Sequence, residues 1–303
     1  MPVYLPIAEM SVDASLIVFV GVIVGFFSGL FGVGGGFLTT PILVFLGIPP
    51  VVSVATQTCQ IVASSSAGVI SQWGRRGIDF KMGQHILMGG LAGMLVGMLI
   101  FNILRALGQI DLAISLLYVL MLGGIGLSML YEIIRSAIIR RHKGTISENR
   151  VHLWLKTLPY QTDYITSDIR ISLLGPVGIG FISSMMLAII GTGAGFLVVP
   201  AMIYFLRMPA LLVTGTSLFQ MLFLAALAGV MHAVTSHSVD LLLAMLLITG
   251  SVVGTVLGLR ATKYIKGTVA RLLMAVLIIV LALYMACGLV IPPESVYTTV
   301  MER

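Results

Sequence analysis

This sequence carries little charge. Only 9% of its 303 residues are Asp, Glu, Lys or Arg, while 58% are hydrophobic; an average soluble domain carries about a quarter charged residues. Several apolar runs exceed the ~18–20 residues that cross a bilayer, so the chain is an integral membrane protein. Cysteine is nearly absent. Cys59 and Cys287 fall in apolar segments without metal spacing, which excludes a disulfide framework and a cysteine metal site. The first fifteen residues hold no Lys or Arg, and the apolar segment behind them runs straight into a glycine cluster. A cleaved signal peptide is therefore not expected. No Lys-Ser/Thr follows any glycine run, so there is no P-loop and ATP is not this chain's energy source. The spans hold no cluster of His, Asp and Glu and no Cys pair. That argues against an enzyme or a membrane-embedded assembly factor, and no cofactor is expected.

Glycine is what the chain has in quantity. Gly32-Val33-Gly34-Gly35-Gly36-Phe37-Leu38-Thr39-Thr40-Pro41 is echoed by Gly191-Thr192-Gly193-Ala194-Gly195-Phe196-Leu197-Val198-Val199-Pro200, with six of ten positions identical at an offset of 159. A glycine inside a helix costs about 1 kcal/mol relative to alanine, so three within five positions mark a break. In lipid, broken backbone is tolerated only where protein covers it or a watery cavity receives it. Matching breaks in two halves of a membrane protein point to a transporter's binding site. The Gly-x-Gly-x-Gly spacing also brushes the dinucleotide fingerprint, but without the βαβ context that would give it meaning.

The duplication extends beyond the glycines. Thr56 corresponds to Thr216 and Gln60 to Gln220 at offset 160; Asp79 to Asp240, and Gly89, Gly93 and Gly97 to Gly250, Gly254 and Gly258, at offset 161. The last set is a small-residue face along which helices approach closely in lipid. Candidate segments are 14–31, 36–47, 51–73, 82–104 and 111–134, then 168–190, 195–206, 210–234, 239–260 and 268–291. If 14–47 and 168–206 enter and return as re-entrant hairpins, each half has three full crossings and the halves are inverted. Fifteen of the 17 basic residues then share one face: Arg75, Arg76, Lys81, Arg135, Arg140, Arg141, Lys143, Arg150, Lys156, Arg170, Arg207, Arg260, Lys263, Lys266 and Arg271. The positive-inside rule favours this arrangement. It also accounts for the net charge of +6 without nucleic acid as a partner.

The expected fold is an all-α polytopic membrane protein of two inverted repeats. Residues 1–139 form the N-terminal repeat, 140–167 a cytoplasmic linker, 168–291 the C-terminal repeat and 292–303 a short external tail. Both termini are expected outside the cytoplasmic (inner) membrane. The second leg of each hairpin begins near mid-membrane, where a helix N-terminus presents unpaired N–H groups and a partial positive charge. Gly34, Gly35, Gly36 and Phe37, with Gly193, Ala194, Gly195 and Phe196, are thus candidates to bind a small anion without a cationic side chain. Polar clusters follow at Thr56, Gln57, Thr58 and Gln60, and at Thr214, Thr216, Ser217 and Gln220. Their amides and hydroxyls suit the oxygens of an oxyanion, or bond helix to helix. Ser64, Ser65 and Ser66 have no polar counterpart and are expected to pack; Asp79 and Asp240 precede helices and are expected to cap them. His85 and His232 are expected at membrane interfaces.

Gly-Val-Gly-Gly-Gly-Phe-Leu-Thr-Thr-Pro with Ala-Thr-x-Thr-x-Gln, and the second Gly-Thr-Gly-Ala-Gly-Phe-Leu-x-x-Pro with Gly-Thr-Ser-x-x-Gln, resemble the TauE/SafE family of sulfite and organosulfonate exporters. The resemblance covers the chain apart from its tails and linker. It implies transport of small sulfur-containing anions, generally export, with Gly34–Phe37, Thr56–Gln60, Gly193–Phe196 and Thr214–Gln220 carrying the family motifs. Ala194 departs from the third consecutive glycine of the first copy. The expected partners are a small anionic substrate and the lipid bilayer, with a homodimer left open. An anion channel of the same architecture is the alternative.

Overall fold

A computed structural model describes residues 2–74, 77–108, 110–141, 160–191, 195–262, 264 and 267–290. Among these the fold is mostly helical, with one set of elements that occurs twice in the same order. The first set is a hairpin of β1 (Pro2–Leu5) and β2 (Met10–Asp13), then α1 (Ala14–Phe31), α2 (Gly36–Phe45), α3 (Pro50–Trp73), α4 (Phe80–Ala106) and α5 (Ile110–Arg141). The second is a hairpin of β3 (Gln161–Tyr164) and β4 (Ile169–Ser172), then α6 (Leu174–Ile190), α7 (Gly195–Tyr204), α8 (Ala210–Thr235), α9 (Leu241–Ala261) and α10 (Gly267–Val290).

The helix ends follow local chemistry. Asp13 begins α1 by accepting from Ser15 N, Asp79 begins α4 by accepting from Met82 N, and Asp240 begins α9 by accepting from Leu242 N and Leu243 N. Pro50 opens α3, where a missing N–H costs nothing. α1 and α6 end at Gly32 and Gly191 in the left-handed conformation. α2 and α7 stay short, each with a proline inside that removes one rung of the helix.

The two hairpins depart from the all-helical expectation. β3 lies at the end of the 140–167 linker, and β4 occupies the start of a segment expected to be helical from residue 168; α6 begins at Leu174. Each strand has four residues, too few to carry a period-two pattern. Glu9 and Asp168 hold corresponding turn positions at φ 53° and 52°. The 292–303 tail, residues 142–159 of the linker, and Arg75, Arg76, Lys143, Arg150, Lys156, Lys263 and Lys266 lie outside the described residues.

Five helices among the described residues are long and apolar enough to cross a membrane: Ala14–Phe31, Phe80–Ala106, Leu112–Tyr131, Leu212–Thr235 and Leu241–Ala261. α1, expected as one leg of a hairpin, is thus long enough to cross by itself. α3 is as long but more polar. It can be polar because protein surrounds it: Ser53, Thr56, Gln57, Thr58, Gln60, Ser64 and Ser65 are all fully buried. The exposed apolar stripes lie instead on other helices, such as Met88, Leu95 and Leu99 on α4 or Leu112, Leu116 and Leu120 on α5.

Glycine sets the closest helix contacts. A β-carbon on Gly89, Gly93 or Gly97 of α4 would overlap the backbone of Val177, Phe181 or Met185 on α6. On α9, a β-carbon at Gly250, Gly254 or Gly258 would overlap the backbone of Val18, Val22 or Phe26 on α1. Residue numbers rise together in both pairs, so α4 runs parallel to α6 and α9 parallel to α1. α3 and α8 instead run antiparallel, with Gly68 against Leu218 and Thr58 against Gly229. The contacts are reciprocal: what α4 does to α6, α9 does to α1.

Candidate functional site

The first break is built by two consecutive left-handed residues. Gly34 has φ 79° and Gly35 φ 82°, a region that residues with a β-carbon avoid. The sites are also tight, since a β-carbon on Gly35 would come within 2.8 Å of Val24 Cγ1. The chain thereby turns out of α1 and into α2, which runs back along α3. Thr39 of α2 meets Gln60, and Gly34 lies beside Ile61 and Ser65. These α3 residues stand near the middle of a helix of 24 residues, about 36 Å long at 1.5 Å per residue. α2 therefore opens at half the height of α3.

Around this opening are side chains that are fully buried and hold polar atoms without a partner. Ser28 Oγ, Ser65 Oγ and Gln60 Nε2 have none. Ser28 Cβ stands 3.3 Å from where a β-carbon on Gly35 would be, and Ser65 Oγ 3.8 Å from the same point on Gly34. Thr39 Oγ1 donates to Gln60 Oε1 at 2.7 Å and lies 3.2 Å from Gly35 O. Ser64 Oγ donates to Ile61 O at 3.1 Å within its own helix and lies 3.3 Å from Gly34 O. On α3, Gln57 donates through Nε2 to Gly191 O. Each buried group left unsatisfied costs about 1–3 kcal/mol. A cluster of them beside a helix N-terminus is therefore expensive unless something occupies it. The side chains offered are neutral donors, and the helix end adds partial positive charge, a combination that suits a small anion.

The candidates divide by how their polar atoms are spent. Gly34 and Gly35 make the turn, Gly36 opens α2, and Phe37 is buried beneath it. Gln60 and Gln220 keep unpartnered amide atoms; for Gln220 both ends are free. Thr56, Thr58, Thr216 and Ser217 instead bond within the protein. Thr56 Oγ1 accepts from Asp240 N at 3.0 Å, and Thr216 Oγ1 accepts from Asp79 N at 2.9 Å. Thr58 donates to Ala55 O at 2.6 Å, and Ser217 donates to Gly32 O at 2.6 Å. Thr214 packs against Gly32, and Gly195 opens α7 against the Val33 backbone, so the two breaks touch. Gly193 and Ala194 lie outside the described residues, as does the side chain of Phe196.

Several residues at the break escaped the sequence reading. Ser28, Thr39 and Thr40 are single hydroxyls in apolar helices. Ser64 and Ser65, expected to pack, face the break; Ser66 does bond within its own helix, to Val62 O. Asp79 and Asp240 cap as expected but do more. Ser167 Oγ donates to Asp79 Oδ2 at 2.5 Å and Ile7 N donates to Asp240 Oδ2 at 3.1 Å, so each carboxylate also holds a hairpin turn. His85 Nδ1 is hydrogen-bonded to the Tyr164 hydroxyl at 2.9 Å. His232, expected at an interface, sits near the end of α8 but is wholly buried against Phe101. No group of three or more His, Cys, Asp and Glu gathers to hold a metal among the described residues.

Residues 17–285 match the family described as "Sulfite exporter TauE/SafE". The "Probable membrane transporter protein YjnA" of Bacillus subtilis (strain 168) is 29% identical over 267 residues, covering 87% of this chain and 96% of that protein. A "Probable membrane transporter protein" of Xylella fastidiosa (strain 9a5c) is 29% identical over 261 residues, covering 82% and 86%. The "Sulfite exporter TauE/SafE family protein 3" of Arabidopsis thaliana is 31% identical over 114 residues, or 35% of this chain and 24% of that one. No solved structure matches. With the family match running from α1 into α10, this multi-pass chain belongs to the TauE/SafE family of membrane transporters.

Proposed function

We propose that the chain exports a small sulfur-containing oxyanion, sulfite or an organosulfonate, across the cytoplasmic membrane, and that the anion is held at the first glycine break. One observation carries the reading: the unpartnered, fully buried Ser28, Gln60 and Ser65 beside the N-terminus of α2. The family name and the plant relative's printed name favour sulfite, and neutral donors suit the oxygens of any such anion.

The two halves, 1–139 and 168–291, act as inverted repeats. α3 and α8 hold corresponding places yet run antiparallel, and α1–α9 and α6–α4 contacts are exchanged. Such exchange is the mark of a two-fold relation, and antiparallel counterparts put its axis across the helices. With the basic residues on one face, the positive-inside rule then puts the linker in the cytoplasm and both termini outside. Alternating access follows as one repeat rocking against the other around the touching breaks.

The test is flux in proteoliposomes of the purified chain, offered sulfite, sulfate, thiosulfate, taurine, sulfoacetate and acetate. Saturable flux of sulfite or a sulfonate, with acetate left behind, is the expected result. Currents far above carrier rates would favour the anion channel, and no flux of any oxyanion would overturn the proposal.

A further inference from the structure

Gln60 and Gln220 hold corresponding places on α3 and α8 and are both fully buried, but their amides are held differently. Thr39 Oγ1 donates to Gln60 Oε1 at 2.7 Å, which leaves Nε2 with its two N–H groups as the end without a partner. Gln220 is bonded at neither end. At offset 159 the counterpart of Thr39 is Val198, equally buried and without a hydroxyl. A carboxamide donates at one end and accepts at the other, so an unanchored one can turn either end to a ligand. A single hydroxyl separates the two cases.

The same difference runs through the neighbours. Ser28 and Thr40 beside the first break correspond to Leu187 and Val199 in the second half. Three buried hydroxyls, Ser28, Thr39 and Thr40, thus stand where the second half has Leu187, Val198 and Val199.

We propose that Thr39 sets the charge selectivity of the site. By holding Gln60 with its NH2 end free, it makes the first break present donors, which accept an oxyanion and disfavour a ligand whose own N–H groups would face them. Gln220, unanchored, adjusts to whatever is bound. Thr39 acts through Gln60 and is a positioning residue; the inference rests on the first break being the substrate site.

The test uses two probes that differ by one group, methanesulfonate and methanesulfonamide, in which an oxygen is replaced by NH2. Their binding to the detergent-purified full chain is measured by calorimetry, and the readout is the ratio of the two affinities. The wild-type chain prefers the sulfonate. Thr39→Val, which writes the second half's residue into the first, narrows that preference about tenfold, the worth of one oriented hydrogen bond to a charged group. Thr39→Ala removes the same hydroxyl with less bulk and narrows it alike, while Thr39→Ser restores it. An unchanged ratio in the Val and Ala variants, or an equal loss in Thr39→Ser, overturns the inference while leaving the site itself standing. A wild-type chain that binds neither methanesulfonate nor sulfite overturns the site, and this inference with it.

Discussion

Thr56 and Gln60 stand one turn apart on α3, and their polar atoms are spent in different ways. Thr56 Oγ1 satisfies the buried N–H of Asp240, so Thr56→Val leaves a donor unpaired and should cost about 1–3 kcal/mol of stability. A lowered melting temperature in detergent is the check. Gln60→Leu removes the free amide of the break instead. We expect the KM for sulfite efflux to rise at least tenfold, the worth of about 1.4 kcal/mol, while the melting temperature moves less than in Thr56→Val. A Gln60→Leu chain with wild-type KM would place the ligand elsewhere. The sequence pattern could nominate both residues because both recur at offset 160. It could not separate them, because which hydroxyl meets which N–H depends on a partner 184 residues away.

The helices were legible for the opposite reason: long apolar runs and small-residue spacing are local signals that packing amplifies. The Gly89–Gly93–Gly97 and Gly250–Gly254–Gly258 faces meet the backbones of α6 and α1. Gly93→Leu or Gly254→Leu should force the pair apart, at about 1–3 kcal/mol or more for overpacking, read as lost monodispersity on size-exclusion chromatography. The hairpins were not legible, since four-residue strands leave no period. Ser28, Thr39 and Thr40 were missed because one hydroxyl in an apolar helix resembles packing. Ser64 and Ser65 were set aside for lacking a polar counterpart, and that very asymmetry distinguishes the first break. The β3–β4 hairpin carries its own test. Burial, with the Asp79 charge adding to it, pushes the Tyr164 phenol up to about 12. A raised folded value means the neutral form is favoured, so this contribution is complete below the unfolded value near 10 and is lost as pH rises through 12. Thermal melts from pH 8 to 12 should show a smaller loss in Tyr164→Phe than in the wild-type chain.

At the scale of the whole molecule the absence of a fixed countercharge governs energetics. The described side chains at the break, Ser28, Thr39, Gln60, Ser64 and Ser65, are all neutral, so an anion held there as proposed would carry its charge through the cycle. One charge moved through 100 mV is worth about 2.3 kcal/mol, roughly fifty-fold in concentration, and an inside-negative potential expels anions. We expect sulfite flux in proteoliposomes to follow a potassium–valinomycin potential at equal pH and sodium. Flux that ignores the potential and follows a proton gradient would require a coupled-ion site. Impermeant labelling of single cysteines at positions 81 and 237 should come from opposite sides of the membrane; labelling from one side would remove the inverted arrangement.

The exchanged contacts also say something about assembly. α1 finds its closest partner in α9 and α4 in α6, while Asp240 N leans on Thr56 and Asp79 N on Thr216. Each half therefore finds the partner for its glycine-lined faces in the other half. Cut anywhere between Arg141 and Tyr160 and made as two polypeptides, the protein should find itself again in the membrane as a heterodimer, while either fragment alone is handed to proteases.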